Sequence, residues 1–303
     1  MNQFVRALVR EVRPHQWAKN GLLFMPALLA PGIPELHALG HALAAACAFS
    51  LCASAGYVLN DLLDIEADRL HATKKERPFA SGALPVAFGP PLGIGLVAGS
   101  AALSYALLPT KFLVMLGVYL VGTVSYSLVL KRILLVDVLV LAGLYAHRVL
   151  SGGVATCVDV SAWLLGFSIF FFTSLAFAKR YVELRLLATG AKVKNRGYVS
   201  SDLEMVTAMG TGSALVSTLV FMLYVDSPAV RAGYHEPIVL GLALPVLLYW
   251  LGRIWLLAGR GEMQDDPVRF ALKDPTSLAC WATIGAIALL ARFTPSWIVS
   301  LLH

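Results

Sequence analysis

Residues 38–59 read ALGHALAAACAFSLCASAGYVL, a run without one Asp, Glu, Lys or Arg, and they lead directly into Asn60-Asp61-Leu62-Leu63-Asp64-Ile65-Glu66-Ala67-Asp68. A helix needs about 20 mainly apolar residues to cross a hydrocarbon core about 30 Å thick. This run is long enough, and it is one of many. Others lie near 84–108, 112–130, 133–150, 161–178, 206–225, 237–257 and 278–300. A weaker one at 20–36 is interrupted by Pro26, Pro31 and Pro34. The expectation is an all-α polytopic membrane protein of about nine spans, or eight if the weak one fails. Composition agrees: hydrophobic residues make up 58% of the chain and charged residues 14%, against about a quarter charged in soluble domains. Mean hydropathy is +0.74. So few charges cannot coat a soluble globule, and long apolar runs exclude a β-barrel, which alternates residue by residue.

The net charge of +6 does not point to nucleic acid, because the cations sit in short loops between apolar runs. With nine spans and the N-terminus inside, 20 of the 24 Lys and Arg fall on one face, which predicts a cytoplasmic N-terminus and an outer C-terminus. Fourteen of the 18 acids share that face, which carries the long loops 60–83, 179–205 and 258–277. Orientation does not require acids there, so the cytoplasmic face reads as a working surface. Residues 1–19 carry Arg6, Arg10, Arg13 and Lys19, which suits an amphipathic interfacial helix, and no cleavable signal peptide is expected. The four cysteines, Cys47, Cys52, Cys157 and Cys280, show no metal or disulfide spacing. One domain over 1–303 is expected, with a faint echo between spans two to four and six to eight.

The chemistry is expected at the end of the second span. On a helix, Asp61, Asp64 and Asp68 fall at i, i+3 and i+7, on one face, with Asn60 beside them. Three like charges on a stripe need a cation between them. Hard carboxylate oxygens at a membrane boundary suit Mg²⁺, which usually accompanies a phosphorylated substrate. Basic residues follow in Arg69 and Thr73-Lys74-Lys75-Glu76-Arg77-Pro78, and suit phosphate oxygens.

Asn60-Asp61-x-x-Asp64-x-x-x-Asp68 at the end of the second of nine spans resembles the UbiA superfamily of intramembrane prenyltransferases. The resemblance covers nearly the whole chain. It implies helices around a central cavity, where two aspartate-rich motifs hold a diphosphate through Mg²⁺ and a lateral opening admits a lipid tail. Quinone-type members carry their second acidic motif after span six. Here Lys179-Arg180-Tyr181-Val182-Glu183-Leu184 stands in its place. That variant resembles the branch of decaprenyl-phosphate phosphoribosyltransferases, which make polyprenyl-phosphate phosphoribose. Arg13-Pro14-His15-Gln16-Trp17-Ala18-Lys19-Asn20, Tyr126-Ser127-x-x-Leu130-Lys131, Asp137, Arg148-x-x-Ser151-Gly152-Gly153 and Gly190-Ala191-Lys192 are similar to that branch too.

The resemblance implies transfer of 5-phosphoribose from phosphoribosyl pyrophosphate to a polyprenyl phosphate in a bacterial cytoplasmic membrane, with release of pyrophosphate. Asp61, Asp64 and Asp68 are expected to hold Mg²⁺, with Asn60 orienting them. Lys75, Arg77, Lys179 and Arg180 are expected on donor phosphates, and Glu183 on those cations or a ribose hydroxyl. Tyr126 and Lys131 are expected on donor or lipid phosphate, and Lys19 and Asn20 on lipid phosphate. Trp17 reads equally as an interfacial anchor. Asp137, a turn inside span five, is expected to face the cavity with a basic partner. Asp202, Glu204 and Asp265-Asp266 read as solvated loop acids, with assistance to metal binding as the alternative for Asp265-Asp266, and Arg148 as a snorkelling cation. Two rivals remain: an aromatic prenyltransferase using a polyprenyl diphosphate, and a lipid carrier or transporter without catalysis.

Overall fold

A computed structural model describes residues 3–30, 35–70, 74–187, 197–263 and 266–293. Among these the chain is helical, with no strand. In order the elements are α1 (Gln3–Val12), a 3₁₀ run (Pro14–Phe24), α2 (Met25–Leu29), α3 (Leu36–Leu63), α4 (Ile65–Arg69), α5 (Gly89–Leu107), α6 (Lys111–Leu128) and α7 (Val136–Thr156). Then come α8 (Ala162–Arg185), α9 (Leu203–Val225), α10 (Pro228–Gly233), α11 (Pro237–Leu240), α12 (Ala243–Arg260), α13 (Pro267–Ala271) and α14 (Pro275–Phe293). Eight described helical stretches are long and apolar enough to cross a membrane: α3, α5 to α9, α11 joined with α12, and α14.

The expected span over 20–36 is not a continuous α-helix. Pro14–Phe24 is 3₁₀ and only Met25–Leu29 is α-helical, while residues 31–34 lie outside the described chain. Pro26 removes an amide donor that a continuous α-helix through 20–36 would use. At about 2.0 Å per 3₁₀ residue and 1.5 Å per α residue, residues 14–29 extend about 30 Å, the thickness of a hydrocarbon core.

By its contacts the chain divides into two compact units. One comprises residues 1–28, 35–128 and 150–159, the other 29–34, 129–149 and 160–303. In the first, α3 packs along α5, and the Ser100 hydroxyl donates to the Ala48 carbonyl at 2.7 Å. The segment after α1 is laced to one face of α3. Arg13 reaches Asp61 and stacks over Tyr57, Trp17 Nε1 donates to Ser54 Oγ at 3.1 Å, and Asn20 Nδ2 donates to Ser50 Oγ at 3.0 Å. The partners step backward, 61, 57, 54 and 50, so this segment runs antiparallel to α3. Gly152 lies against the Leu23 backbone, where a Cβ would come within 2.3 Å of a carbonyl oxygen. In the second unit, α8 and α12 both close on α9 at Gly210, where a Cβ would stand 2.8 Å from Phe177 Cβ of α8 and 2.2 Å from the Trp255 ring of α12. Trp250 and Trp255 donate to Ser277 and Ser174.

α5, α6, α9 and α14 leave large apolar side chains outward, among them Ile94, Val114, Leu215 and Leu289. α3, α7 and α8 are the most buried spans. Burial of that kind tolerates polar groups only when they are paired, and these three helices carry the polar residues of interest.

Candidate functional site

The first polar cluster sits at the end of α3. That helix stops at Leu63, and Asp64 (φ −101°, ψ 8°) breaks it before α4 begins. The Asp64 amide donates to the Asn60 carbonyl at 3.0 Å, and the Asp64 carbonyl accepts from the Asp68 amide at 2.8 Å. The acidic stripe is therefore split over two helices. Asp61 and Asp68 are both buried and Asp64 is half-buried.

Two arginines hold this cluster. Arg77 Nη1 donates to Asp61 Oδ1 at 3.0 Å and to Asp68 Oδ2 at 2.6 Å, so one nitrogen joins the two acids across the break. Arg13 Nη2 donates to both oxygens of Asp61, at 2.6 and 2.5 Å. Arg77 is fixed by its loop. Its amide donates to the Lys74 carbonyl and its carbonyl accepts from Ser81, while Leu84 N–H closes onto the Pro78 carbonyl. Phe79 and Leu84 then bury that loop with Ala7, Val58 and Ile65. Gly82, at φ 77°, supplies the left-handed turn.

Sequence reasoning missed Arg13 and Glu11 as members of this cluster. Arg13 was legible only as a surface cation. Its backbone is left-handed at φ 52°, a conformation that costs a non-glycine residue on the order of 1 kcal/mol. The bend turns the chain at Pro14 so that the last turn of α1 and the Arg13 side chain both meet Asp61. Glu11 is 0% exposed, and neither of its carboxylate oxygens has a hydrogen-bond partner among the described residues. Burial, and then the charge of Asp61, push its carboxyl up to about 8, against the opposing pull of Arg13 and Arg77.

Other expected residues of this unit are placed differently. Asn20 is 2% exposed and bonded to Ser50, so it fastens its segment to α3. Trp17 is likewise fastened, through Ser54, whose hydroxyl also donates to the Val12 carbonyl at 2.7 Å. Lys19 and Tyr126 are half-buried, and Lys75 is exposed in a 3₁₀ turn.

The second cluster lies in the other unit, at the end of α8. Arg180 and Asp137 are both 0% exposed and paired, Nε to Oδ2, at 2.9 Å. Arg180 also holds Glu183, one turn on. Tyr198 completes the arrangement: its hydroxyl donates to Asp137 Oδ1 at 2.8 Å and accepts from the Leu135 amide at 3.2 Å. Burial, then Asp137, raise the Tyr198 hydroxyl well above its ordinary value and keep it a donor. Gly197 allows this approach, since a Cβ there would stand 2.9 Å from the Leu134 nitrogen. The basic partner expected for Asp137 is thus Arg180.

Lys179 turns instead to Asp266, at 3.2 Å. Asp266 is not a solvated loop acid: its other oxygen accepts from the amides of Val268 and Arg269 and caps α13. Asp202 is also engaged, accepting from the Val199 amide at 2.9 Å. Glu204 is exposed, and Lys131 is buried in its turn. Asp265 and the stretch Gly190-Ala191-Lys192 lie outside the described residues. Arg148, buried in α7, lies over the Tyr145 ring and donates to the Leu144 carbonyl at 2.8 Å.

Asp61, Asp64 and Asp68 offer a metal donors of the right kind for Mg²⁺, hard oxygens on adjoining short elements. Two of them already converge on one cationic atom. Among the described residues no three His, Cys, Asp or Glu side chains form a ready cage. Mg²⁺ does not need one, because it commonly takes one or two carboxylates and completes its shell with substrate phosphates and water. The residues present fit that ion.

A helical membrane fold with acids and arginines massed at the end of α3 and further ion pairs at the end of α8 defines a class that handles charged groups at a membrane boundary. The profile of the UbiA prenyltransferase family matches residues 22–281, and the chain belongs to that family. It is 38% identical over 290 residues to the uncharacterized protein y4nM of Sinorhizobium fredii, matching 95% of this chain but 56% of that protein's length. It is 32% identical to the decaprenyl-phosphate phosphoribosyltransferase of Mycobacterium tuberculosis, covering 93% of this chain and 94% of the relative. A UbiA homologue from Archaeoglobus fulgidus, solved with DMAPP and Mg²⁺, superposes with a TM-score of 0.70 at 14% identity, covering 97% of this chain and all of that one.

Proposed function

We propose that the chain transfers 5-phosphoribose from phosphoribosyl pyrophosphate to a polyprenyl phosphate, with Mg²⁺, at a bacterial cytoplasmic membrane. The observation that carries this reading is the end of α8. Lys179, Arg180 and Glu183 stand there, cation-rich, where a quinone-type enzyme would be expected to repeat its acids. A relative of that activity over nearly the full chain supports it. The N-terminus and the loops that bear both clusters are proposed to face the cytoplasm and the C-terminus the outside.

Asp61, Asp64 and Asp68 would hold Mg²⁺, with Asn60 orienting them. When bound, the ion would spread the charge of the departing pyrophosphate. Arg77 is placed to leave its two carboxylates for donor phosphate, the geometry a guanidinium suits best. Lys75, Lys131 and Lys179 are proposed as further phosphate contacts, and Tyr126 and Lys19 as contacts to the lipid phosphate. Arg180 is wholly buried and tied to two acids, so its proposed part is to orient Glu183 toward a ribose hydroxyl. Asn20 and Asp137 act by fixing Lys19 and Arg180.

In the reaction, a lipid phosphate oxygen bonds to ribose C1 as the C1–O bond to pyrophosphate breaks, and the electron pair leaves with pyrophosphate. The phosphate monoester is already anionic, so no strong general base is required. Catalysis rests on positioning and on stabilising the leaving group.

The test is to incubate the purified chain in lipid with Mg²⁺, a polyprenyl phosphate and phosphoribosyl pyrophosphate, and to read the lipids by mass spectrometry. The expected product is a Mg²⁺-dependent lipid-linked phosphoribose that disappears in the Asp61→Ala, Asp64→Ala double variant. Folded protein that yields none, but joins a polyprenyl diphosphate to an aromatic acceptor, would overturn the reading in favour of the aromatic prenyltransferase.

A further inference from the structure

Helix α1 presents three different sides. At the helical period, Ala7 and Glu11 share one side, and both are buried. Val5 and Val9 share a second and stay 42% and 44% exposed, with the half-buried Leu8 and Val12 beside them. Arg6 and Arg10 share the third and are exposed.

The helix lies across the end of α3, not along it. In its first turn Phe4 packs edge-on against Phe88, with ring centroids 5.3 Å apart, and the next residue, Gly89, lies against the Leu62 side chain of α3. Ala7 packs in the cluster of Val58, Ile65, Phe79 and Leu84. Arg13, just after the last turn, reaches Asp61. Both ends of α1 thus meet the same turn of α3, where the apolar run gives way to Asn60 and Asp61. A spanning helix changes from apolar to polar where it leaves the hydrocarbon core, so α1 lies at that boundary. Beside it α5 begins, with Val86 just before it and Ile94 within it turned outward. Phe4, on Phe88, therefore joins the apolar side of α1 to the lipid-facing surface of α5.

The charge of the segment is one-sided too. Glu11 is the only acid among residues 1–34, and it is buried. The charges that α1 turns outward are thus both positive. An apolar strip flanked by arginines, on a helix lying at a membrane boundary, matches a bilayer surface that carries negative headgroups. We infer that α1 binds anionic phospholipid, with Val5 and Val9 in the acyl boundary and Arg6 and Arg10 on the negative headgroups. The binding is independent of the reaction proposed above, but it reaches the same cluster. Arg10 donates to the Glu76 carbonyl at 3.0 Å, next to Arg77, and Arg13 follows on the same chain. Lipid that holds α1 therefore also steadies the two arginines on Asp61.

The test uses the full, unaltered chain in nanodiscs of phosphatidylcholine, or of an equal mixture of phosphatidylcholine and phosphatidylglycerol. Amide hydrogen exchange of residues 3–12 is read by mass spectrometry at low salt and at 1 M salt, where charges are screened beyond about 3 Å. Each basic residue at an anionic surface strengthens binding about fivefold. Exchange of α1 is therefore expected to be roughly tenfold or more slower in the mixed discs, and 1 M salt is expected to remove most of that difference. The Arg6→Gln, Arg10→Gln double variant is expected to exchange alike in the two lipids. Equal exchange of the unaltered chain in both lipids would overturn the inference and leave α1 as an apolar anchor. A lipid difference that survives in the double variant would overturn it as well. Slowing that follows the number of chains per disc, and not the charge of the lipid, would overturn it by giving the exposed side of α1 to a second copy of the chain.

Discussion

Arg180 shows how far a single residue can depart from its sequence reading. Beside Lys179 it reads as a cation offered to phosphate, yet it is sealed between Asp137 and Glu183. Removing one member of a buried pair leaves the other charge uncompensated, at about 3–5 kcal/mol. Arg180→Met is therefore expected to lower the thermal unfolding midpoint of the purified chain sharply. Arg180→Met with Asp137→Asn is expected to recover much of the loss, since the amide needs no counter-charge and still accepts from Tyr198. A double variant no more stable than the single would show that the pair is not the source. The acids of the Asp61 stripe were legible because three carboxylates at helical spacing beside a long apolar run are rare and costly. Glu11 was not legible. Nothing in local spacing says that α1 folds back on α3, or that a left-handed Arg13 turns the chain there. The fastening of Asn20 and Trp17 was not legible for the same reason: their partners, Ser50 and Ser54, are 30 and 37 residues away and small hydroxyls give no signal in an apolar run.

At the scale of elements, spans over 38–59, 112–130 and 206–225 could be placed within a few residues of α3, α6 and α9, and the start of 161–178 within one residue of α8, which runs on to Arg185, because an uncharged run of that length has one stable form in lipid. The 20–36 segment failed that rule. Its proline-broken backbone is stabilised by lacing to α3, a tertiary effect that periodicity does not record. Asp274 gives an element-scale expectation of its own. It pairs with Arg253 of α12 at 2.6 and 3.0 Å and caps α14 through the Ser277 amide and hydroxyl, at 2.7 Å each. The Arg253 guanidinium, and then Ser277, hold its carboxyl below the ordinary 3.8. A carboxyl with a depressed folded value contributes stability that is present above its unfolded value and lost as pH falls through the folded one. The contact between α12 and α14 is thus expected to weaken only below about pH 4. Asp274→Asn should remove that acid-dependent component, leaving a midpoint that changes less between pH 5 and 3 than in the unaltered chain.

At the scale of the whole molecule, orientation turns on whether residues 14–29 cross the membrane. Arg13 lies at the Asp61 end of α3, and Asn20 is already beside Ser50, nearly three helical turns back. Only residues 30–35 remain before α3 begins at Leu36. So short a link cannot return the chain across a bilayer, so under the orientation proposed above the crossing falls to the 3₁₀ run and α2. The proposed orientation thus has nine crossings, an odd number, with the two ends of the chain on opposite sides. With that count 20 of 24 cations would fall on the face of the acid cluster, as positive-inside insertion favours. Eight crossings would put both ends on one side. In cells expressing the chain with its own cysteines replaced, Thr110→Cys and a C-terminal tag are expected to react with membrane-impermeant reagents from outside. Ser81→Cys and an N-terminal tag should react only after lysis. If both tags respond alike, the 3₁₀ run does not cross. The acid cluster would then still share a side with α1, because Arg13 and Asp61 touch, but the loops after α8 would need a new orientation and the proposed cytoplasmic donor would lose its support.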